Sequence, residues 1–380
     1  MVGVQHVNLM AQNLSHWLGI LANPKPPFPA PMTTPDQSSG TPNAPHAGAD
    51  WFERITGFTE GPYAWTQDML VAEEDCLVSR QDGTRHRFGR FELVSLKDLR
   101  ALSADCTPGP MRVRTVVGDA RALHAEPAHA RACFQVASQF NALEMVAPEI
   151  TPEHGVTRYA MDRTQGPACA LAAGAGTIWR NYLMPLPGRQ GQTASEQLDA
   201  LQPLGKTLSS LLGMPLTDLW SMQNGYALCT ARGLDAIGRL LRDAGPALRD
   251  ELRAQVCVGW HRAVDVTDLP PEARHQVDQV YCSALPVAYG RWPAPQWEPM
   301  ARLVLEAAYE ATLRAAWINR VEGGSAKVLL TGLGGGVFGN ASSWIADALE
   351  HALAQVGDAG LEVLLVGHGQ VPEHFRRYAA

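Results

Sequence analysis

Hydrophobic positions recur with two periods along this chain, and the switches between them mark out its elements. Val328, Leu329, Leu330 and Thr331 form a short apolar run that predicts a buried strand. Trp344, Ile345, Ala348, Leu349, Ala352, Leu353 and Val356 recur at helical spacing. Between them lie Gly332, Gly334, Gly335, Gly336 and Gly339. The order is therefore strand, glycine loop, helix N-terminus. That geometry turns backbone N–H groups toward the positive end of a helix dipole, where an anion sits well. Glycines let a phosphate approach without meeting a Cβ. We expect a diphosphate-binding loop here; the alternative is a tight strand–helix turn with no ligand.

The rest of the chain alternates in the same way. Val7, Leu9, Met10, Leu14, Trp17 and Leu18 predict a short helix, and residues 23–50, rich in Pro, Ser, Thr and Gly, a linker. A short helix from Trp51 is expected to end at Gly57. Strands are expected near 69–71, 77–79, 86–88 and 91–94, with Asp82-Gly83 as a turn, and a helix begins at Lys97. Further strands are expected at 111–117 and 133–138. Gly166 and Pro167 stand where a helix would start, and residues 177–184 read as another strand. From Pro185 to Gln255 the texture is helical: Thr193 and Glu196 suggest a capping box, and Leu204, Leu208, Leu211 and Leu212 a stripe. Trp220 to Tyr226 reads as a helix–turn–helix corner. After residue 255, two strands, a long helix faced by Met300, Leu303, Val304, Ala307 and Ala311, and a last strand at 361–366 complete the pattern. Strands alternating with helices predict an α/β fold with a mostly parallel or mixed sheet and helices on both faces.

The length of 380 residues allows one large domain or two ordinary ones, and 46% hydrophobic residues allow a sizeable core. A net charge of −7 argues against a nucleic-acid binder. The seven cysteines are dispersed, with no CxxC or HExxH pattern, so no metal site is expected and a reducing, cytoplasmic location fits best. The N-terminus lacks the plan of a signal peptide, and no apolar run is long enough to span a bilayer.

Several motifs in order carry a resemblance. Gly118-Asp119 follows a strand. CFQVASQFNALE follows it, then Arg163-Thr-Gln-Gly-Pro-Ala-Cys-Ala, VYCSALPVAY with its long helix, and Gly334-Gly-Gly-Val-Phe-Gly-Asn340. In this series residues 111–380 resemble a macrodomain, the ADP-ribose-binding α/β module. The resemblance implies that Asp119 contacts adenine and that Asn141 faces ribose. It also implies that Thr164, Gln165 and Gly166 form a first phosphate loop, and that Gly334, Gly335, Gly336, Val337, Phe338, Gly339 and Asn340 form a second. It implies a macrodomain-like mixed sheet flanked by helices, with a helical insertion at about 186–255. A 51–110 α+β extension packs on that core, after a 1–50 segment and linker. Two features depart from the pattern: the first loop lacks the usual glycine run, and the insertion is absent from a minimal macrodomain. SQFNALE, DRTQGPACA and RNY are similar to a divergent branch typified by a Legionella effector. That branch implies N-glycosyl hydrolysis of ADP-ribose from arginine, including on ubiquitin. The implied partners are ADP-ribose and an ADP-ribosylated protein such as ubiquitin, with no cofactor, nucleic acid or membrane.

Cleaving ADP-ribose from a side chain passes through an oxocarbenium-like state that a carboxylate stabilises, or whose attacking water it activates. Acids between the two loops are the candidates: Asp162 first, because it abuts the first loop, then Glu144, three residues past Asn141, then Glu153. Glu149 reads as a solvated loop acid. An aspartate at a strand end accepts from an adenine amino group, which suits Asp119, although a turn role is the common alternative. Phe338 is expected against the distal ribose or under the loop, Cys169 as a buried small residue. Gly334-x-Gly336-x-x-Gly339 also satisfies a dinucleotide fingerprint. However, the next strand ends Val366-Gly367-His368 without the acid that a ribose contact wants. A non-catalytic reader of ADP-ribose is the stronger rival, and an interaction protein without ligand the third reading.

Overall fold

The computed structural model describes residues 50–379; the helix and linker expected before residue 50 lie outside them. A seven-stranded mixed sheet runs in the order Arg90–Ser95, Cys257–Asp265, Gln276–Cys282, Cys133–Ala137, Lys327–Leu330, Glu362–Gly367 and Arg112–Val117. Adjacent strands pair antiparallel among the first three and parallel among the last five. Parallel neighbours need crossovers, and helices supply them on both faces. Successive strand residues point to opposite sides. Val328 and Leu330 accordingly pack with helices Ala294–Val321 and Ser342–Gln355, while Leu329 packs with Leu123 and Ala173 on the other face. The expected mixed sheet flanked by helices is the fold observed.

The segment 50–110 is woven into this core. Its three-stranded meander Leu70–Glu73, Cys76–Ser79 and Arg85–Arg87 stands apart, but Arg90–Ser95 is the edge strand of the main sheet. Residues 202–254 supply helices Gln202–Leu212, Leu216–Leu219, Ala231–Asp243 and Pro246–Ala254.

Three local expectations are corrected. Residues 177–182 belong to helix Gly174–Tyr182, not to a strand; every residue of that helix is buried, so it shows no polar face from which a period can be read. The capping box does not form: Thr193 and Glu196 pair through their backbones, and the helix starts only at Gln202. Trp220–Gln223 and Tyr226–Cys229 form a β-hairpin. Its turn has positive φ at both Asn224 and Gly225, and Asn-Gly is the residue pair such a turn favours.

A buried ionic network locks the long helix. The Arg100 guanidinium donates to Glu310 at 2.8 Å and to Asp250 at 2.8 and 2.9 Å, and Arg314 adds a bond to Glu310 at 2.7 Å. Burial works to raise the Glu310 carboxyl, but the bonds from Arg100 and Arg314 outweigh it and hold the group below its ordinary value. Asp250 is held low by Arg100. A depressed carboxylate stabilises the fold above its unfolded-state pKa, and that stability is lost as pH falls through the folded value. Glu310→Ala removes the buried carboxylate that two guanidinium groups share, leaving Arg100 to Asp250 and Arg314 to Ser103 alone, and is expected to cost about 3 kcal/mol. Urea melts of the variant and parent check this: the difference should be full at neutral pH and shrink on acidification below the ordinary carboxylate range. Among the described residues no helix is long and apolar enough to cross a membrane.

Candidate functional site

Every parallel strand leads, at its carboxyl end, into a loop on one cavity. Gly118 and Asp119 follow Arg112–Val117, Ser138 and Gln139 follow Cys133–Ala137, and Ala284 lies beyond Gln276–Cys282. Gly332 to Phe338 follow Lys327–Leu330, and His368, Gln370, Pro372 and His374 follow Glu362–Gly367. The crevice outside the carboxyl ends of such strands is where open α/β sheets hold ligands. The cavity is about 470 Å³, within the range of small-molecule sites.

Both expected phosphate turns line it. Arg163, Thr164, Gln165 and Gly166 form one wall at the start of helix Gln165–Ala172, and Gly334, Gly335, Gly336, Val337 and Phe338 form another. Gly166 and Gly336 thus share one cavity. Among the described residues, the amides of Gly166, Gly336 and Val337 take no backbone acceptor. Gly334 has φ +73° and passes so close to Ala284 that a Cβ would sit 2.4 Å from it, which admits only glycine. The Asn340 side chain braces the loop from below, donating to Leu285 O at 2.9 Å and Gly334 O at 3.3 Å; neither it nor Gly339 lines the cavity. Phe338 lines the cavity and packs beneath the loop on Tyr226 and Tyr289, with ring centroids at 5.5 and 5.6 Å.

The acids are placed very differently from one another. Glu144 lines the cavity at 4% exposure, Oε1 has no hydrogen-bond partner among the described residues, and burial pushes its carboxyl well above the usual range. Arg180 opposes that rise and Asp162 adds to it. A Cβ on Gly166 would lie 2.4 Å from Glu144 Oε2, so the carboxyl abuts the first phosphate turn. Asp162 lies outside the cavity lining and accepts the Thr164 amide at 2.8 Å, shaping the entry to the helix. Glu153 is turned away, with both oxygens 3.0 Å from the Ala194 amide. Glu149 is exposed. Asp119 lines the far end; its Oδ1 accepts the Ala122 amide at 2.9 Å as a helix cap, which leaves the other oxygen for a ligand. Asn141 is buried and does not line the cavity: it accepts the Leu143 amide and donates to Gln197. Cys169 is fully buried in its helix, and burial raises its thiol.

The turn that carries Glu144 is tied at nearly every residue. Ala142 has φ +58°, a left-handed conformation that costs a residue with a Cβ about 1 kcal/mol or more. Phe140 N donates to Gly225 O in the hairpin, Gln192 Nε2 to Asn141 O, Arg180 Nε to Ala142 O, and Glu144 N to Tyr159 Oη. Tyr226 Oη donates to Met145 O at 2.6 Å. The neighbouring 152–157 turn is held by Glu60, whose carboxylate accepts from Val156 N, Thr157 N, Thr157 Oγ1 and Tyr182 Oη at 2.6–2.9 Å.

Sequence reasoning missed the wall formed by His368, Gln370, Pro372 and His374. Nothing local marks it; it exists because the chain folds back over Gly332 after the last strand, bringing His374 Nε2 within 2.5 Å of where a Gly332 Cβ would stand.

No protein-family model and no curated protein matches the chain. Solved structures do. The poly(ADP-ribose) glycohydrolase of Deinococcus radiodurans in complex with ADP-ribose is 14% identical, over 76% of this chain and 93% of that one, with a TM-score of 0.40. The enzyme of the same name from Thermomonospora curvata is 14% identical over 83% and 97%, at a TM-score of 0.37. Its complex with the inhibitor ADP-HPD gives 15% over 82% and 94%, at 0.33.

Proposed function

We propose that this chain is an ADP-ribosylhydrolase of macrodomain type, which binds ADP-ribose along the cavity and releases it from a modified protein side chain. One observation supports the reading above all. Two turns with unused amides share a single cavity whose ends carry two carboxyl groups in opposite states, Asp119 exposed and Glu144 buried. The strands that lead to Asp119 and Glu144 are three places apart in the sheet, a width of about 14 Å at the usual strand spacing, on the scale of an extended nucleoside diphosphate sugar.

On this reading the Asp119 oxygen not used as a cap accepts from the adenine amino group. The amides of Gly166, Gly336 and Val337 hold the diphosphate at the N-terminus of Gln165–Ala172. The distal ribose then lies at Glu144. A buried carboxyl that holds its proton is a general acid. Glu144 gives that proton to the departing atom of the side chain as the bond to the anomeric carbon breaks, and takes one back from the water that attacks the same carbon. The elements of water are thus added across the glycosidic bond. We assign the reacting carboxyl to Glu144 rather than Asp162, which sits just outside the cavity. Asp162 there faces the leaving side chain, and with Glu149 it provides negative charge suited to a guanidinium. Arginine is therefore the linkage we propose, with ubiquitin as one carrier.

Calorimetry with ADP-ribose tests the binding half. A 1:1 complex is expected, with GDP-ribose at least about tenfold weaker because a guanine carbonyl cannot donate to Asp119. Asp119→Ala should remove that preference. A folded chain that binds neither ligand overturns the reading. Incubation with arginine-, glutamate- and serine-linked ADP-ribose then separates hydrolase from reader: release from none of them leaves only a reader.

A further inference from the structure

Beneath the cavity lies a charge that the proposed reaction does not itself use. Arg180, on helix Gly174–Tyr182, is among the largest fully buried side chains. No carboxylate lies within salt-bridge distance of it among the described residues. Its guanidinium instead donates to three neutral acceptors: Ala142 O at 2.9 Å, His261 Nδ1 at 2.9 Å and Thr177 Oγ1 at 3.1 Å. It also lies 3.7 Å above the Tyr281 ring. A guanidinium does not lose its proton in a protein, and burying one without a partner ion is costly. His261 cannot share the charge, because burial and Arg180 together push its imidazole well below the ordinary value. What the arrangement does is hold the carbonyl of Ala142, the one left-handed residue of the turn, two positions before Glu144.

We propose that Arg180 is the positioning residue of this site: through its bond to Ala142 O it fixes the 139–144 turn so that Glu144 meets the cavity. The inference rests on the reading of Glu144 given above. Two cations stand near Glu144, Arg180 behind its turn and Arg163 on the cavity wall. Asp162 opposes ionisation from the loop before Gln165–Ala172. Tyr159, Cys169, Tyr226 and Tyr281 are buried and keep their protons. Among these groups Arg180 is the one that favours the carboxylate.

The test uses Arg180→Lys and Arg180→Met in the full chain. Two readouts are taken: steady-state hydrolysis, and the Glu144 carboxyl titration by carbon-13 NMR, its signal assigned by loss in Glu144→Gln. Arg180→Met, which removes the charge, should raise the titration midpoint by at least about one pH unit. Arg180→Lys keeps the charge but loses the Nε bond; its midpoint should stay within about half a unit of the parent. Both should lower kcat about tenfold or more, with ADP-ribose affinity changed less than about threefold. An unmoved midpoint in the Met variant shows that Arg180 does not act on Glu144 and overturns the proposal, as does an unmoved kcat in the Lys variant. Should the Met variant fail to fold, the Lys variant decides: it must lose kcat while keeping the midpoint, and any other outcome refutes the proposal. The titration distinguishes the two layers of argument. If Glu144→Gln is fully active the assignment of the reacting carboxyl to Glu144 fails, while the NMR midpoint still reports whether Arg180 acts on Glu144.

Discussion

Glu144→Gln is expected to abolish release of ADP-ribose while leaving its binding intact. The amide keeps the size and shape of the carboxyl but has no proton to give at the departing atom. Removing a general acid ordinarily costs a factor of about 10² to 10⁴ in rate, and we expect the upper part of that range, because among the described residues Glu144 and Asp119 are the acids that line the cavity and they follow different strands. Folding should hold or improve slightly, since Glu144 is a buried acid with an unsatisfied oxygen and the amide introduces no charge. Rates on arginine-linked ADP-ribose, read beside calorimetry with free ADP-ribose, check both halves. The pH profile supplies the sign: Glu144 acts while protonated, its carboxyl is raised by burial, and activity should fall as pH rises through that elevated value. The same assay on Asp162→Asn should show a smaller loss. A larger loss there would return the reacting role to Asp162.

The second large effect concerns the two phosphate turns, and here the structure separates folding from binding. A Cβ at Gly166 would stand 2.0 Å from Ala137 O and 2.4 Å from Glu144 Oε2. A backbone oxygen has little room to give way, so Gly166→Ala must displace the helix and with it the amides. Overpacking of this kind costs about 1–3 kcal/mol of stability, and ADP-ribose affinity should fall about 100-fold or more because the turn loses its geometry. At Gly336 a Cβ would meet nothing within 4 Å, and φ is not in the left-handed region. Gly336→Val should therefore leave stability within about 0.5 kcal/mol. It fills the space through which a phosphate reaches the loop, so affinity should again fall at least about 30-fold. Thermal melts and calorimetry on the pair decide. A Gly336→Val chain that binds ADP-ribose as tightly as the parent would remove the diphosphate from this loop.

The parts of the fold legible beforehand were those whose signal is local. The run from Val328 through Val356 shows its strand, its glycines and its helical stripe within one short window, and the cavity wall it builds followed from that. Glu144 is a candidate by its distance from Asn141, but its precedence over Asp162 follows from burial, which depends on Arg180, Tyr159 and the hairpin folding over it from remote parts of the chain. Helix Gly174–Tyr182 was misread because Ile178, Trp179 and Tyr182 favour strands and its surroundings are apolar on all sides, so tertiary packing overrode propensity. The hairpin had a usable signal in Asn224-Gly225, masked by the leucine stripes on either side. The His368–His374 wall had none.

Glu60 reaches from the first described segment to clasp Val156 and Thr157, and Arg90–Ser95 closes one margin of the main sheet. Anyone seeking a minimal working fragment will be tempted to begin it near residue 111, where the glycine-bearing strands start. Such a truncation would bare the length of Cys257–Asp265 as an unpaired edge, an invitation to self-association, and would set loose the turn leading to Tyr159. Residues 50–110 thus brace both the 152–157 turn and one margin of the sheet, and a fragment that starts at residue 111 carries neither support.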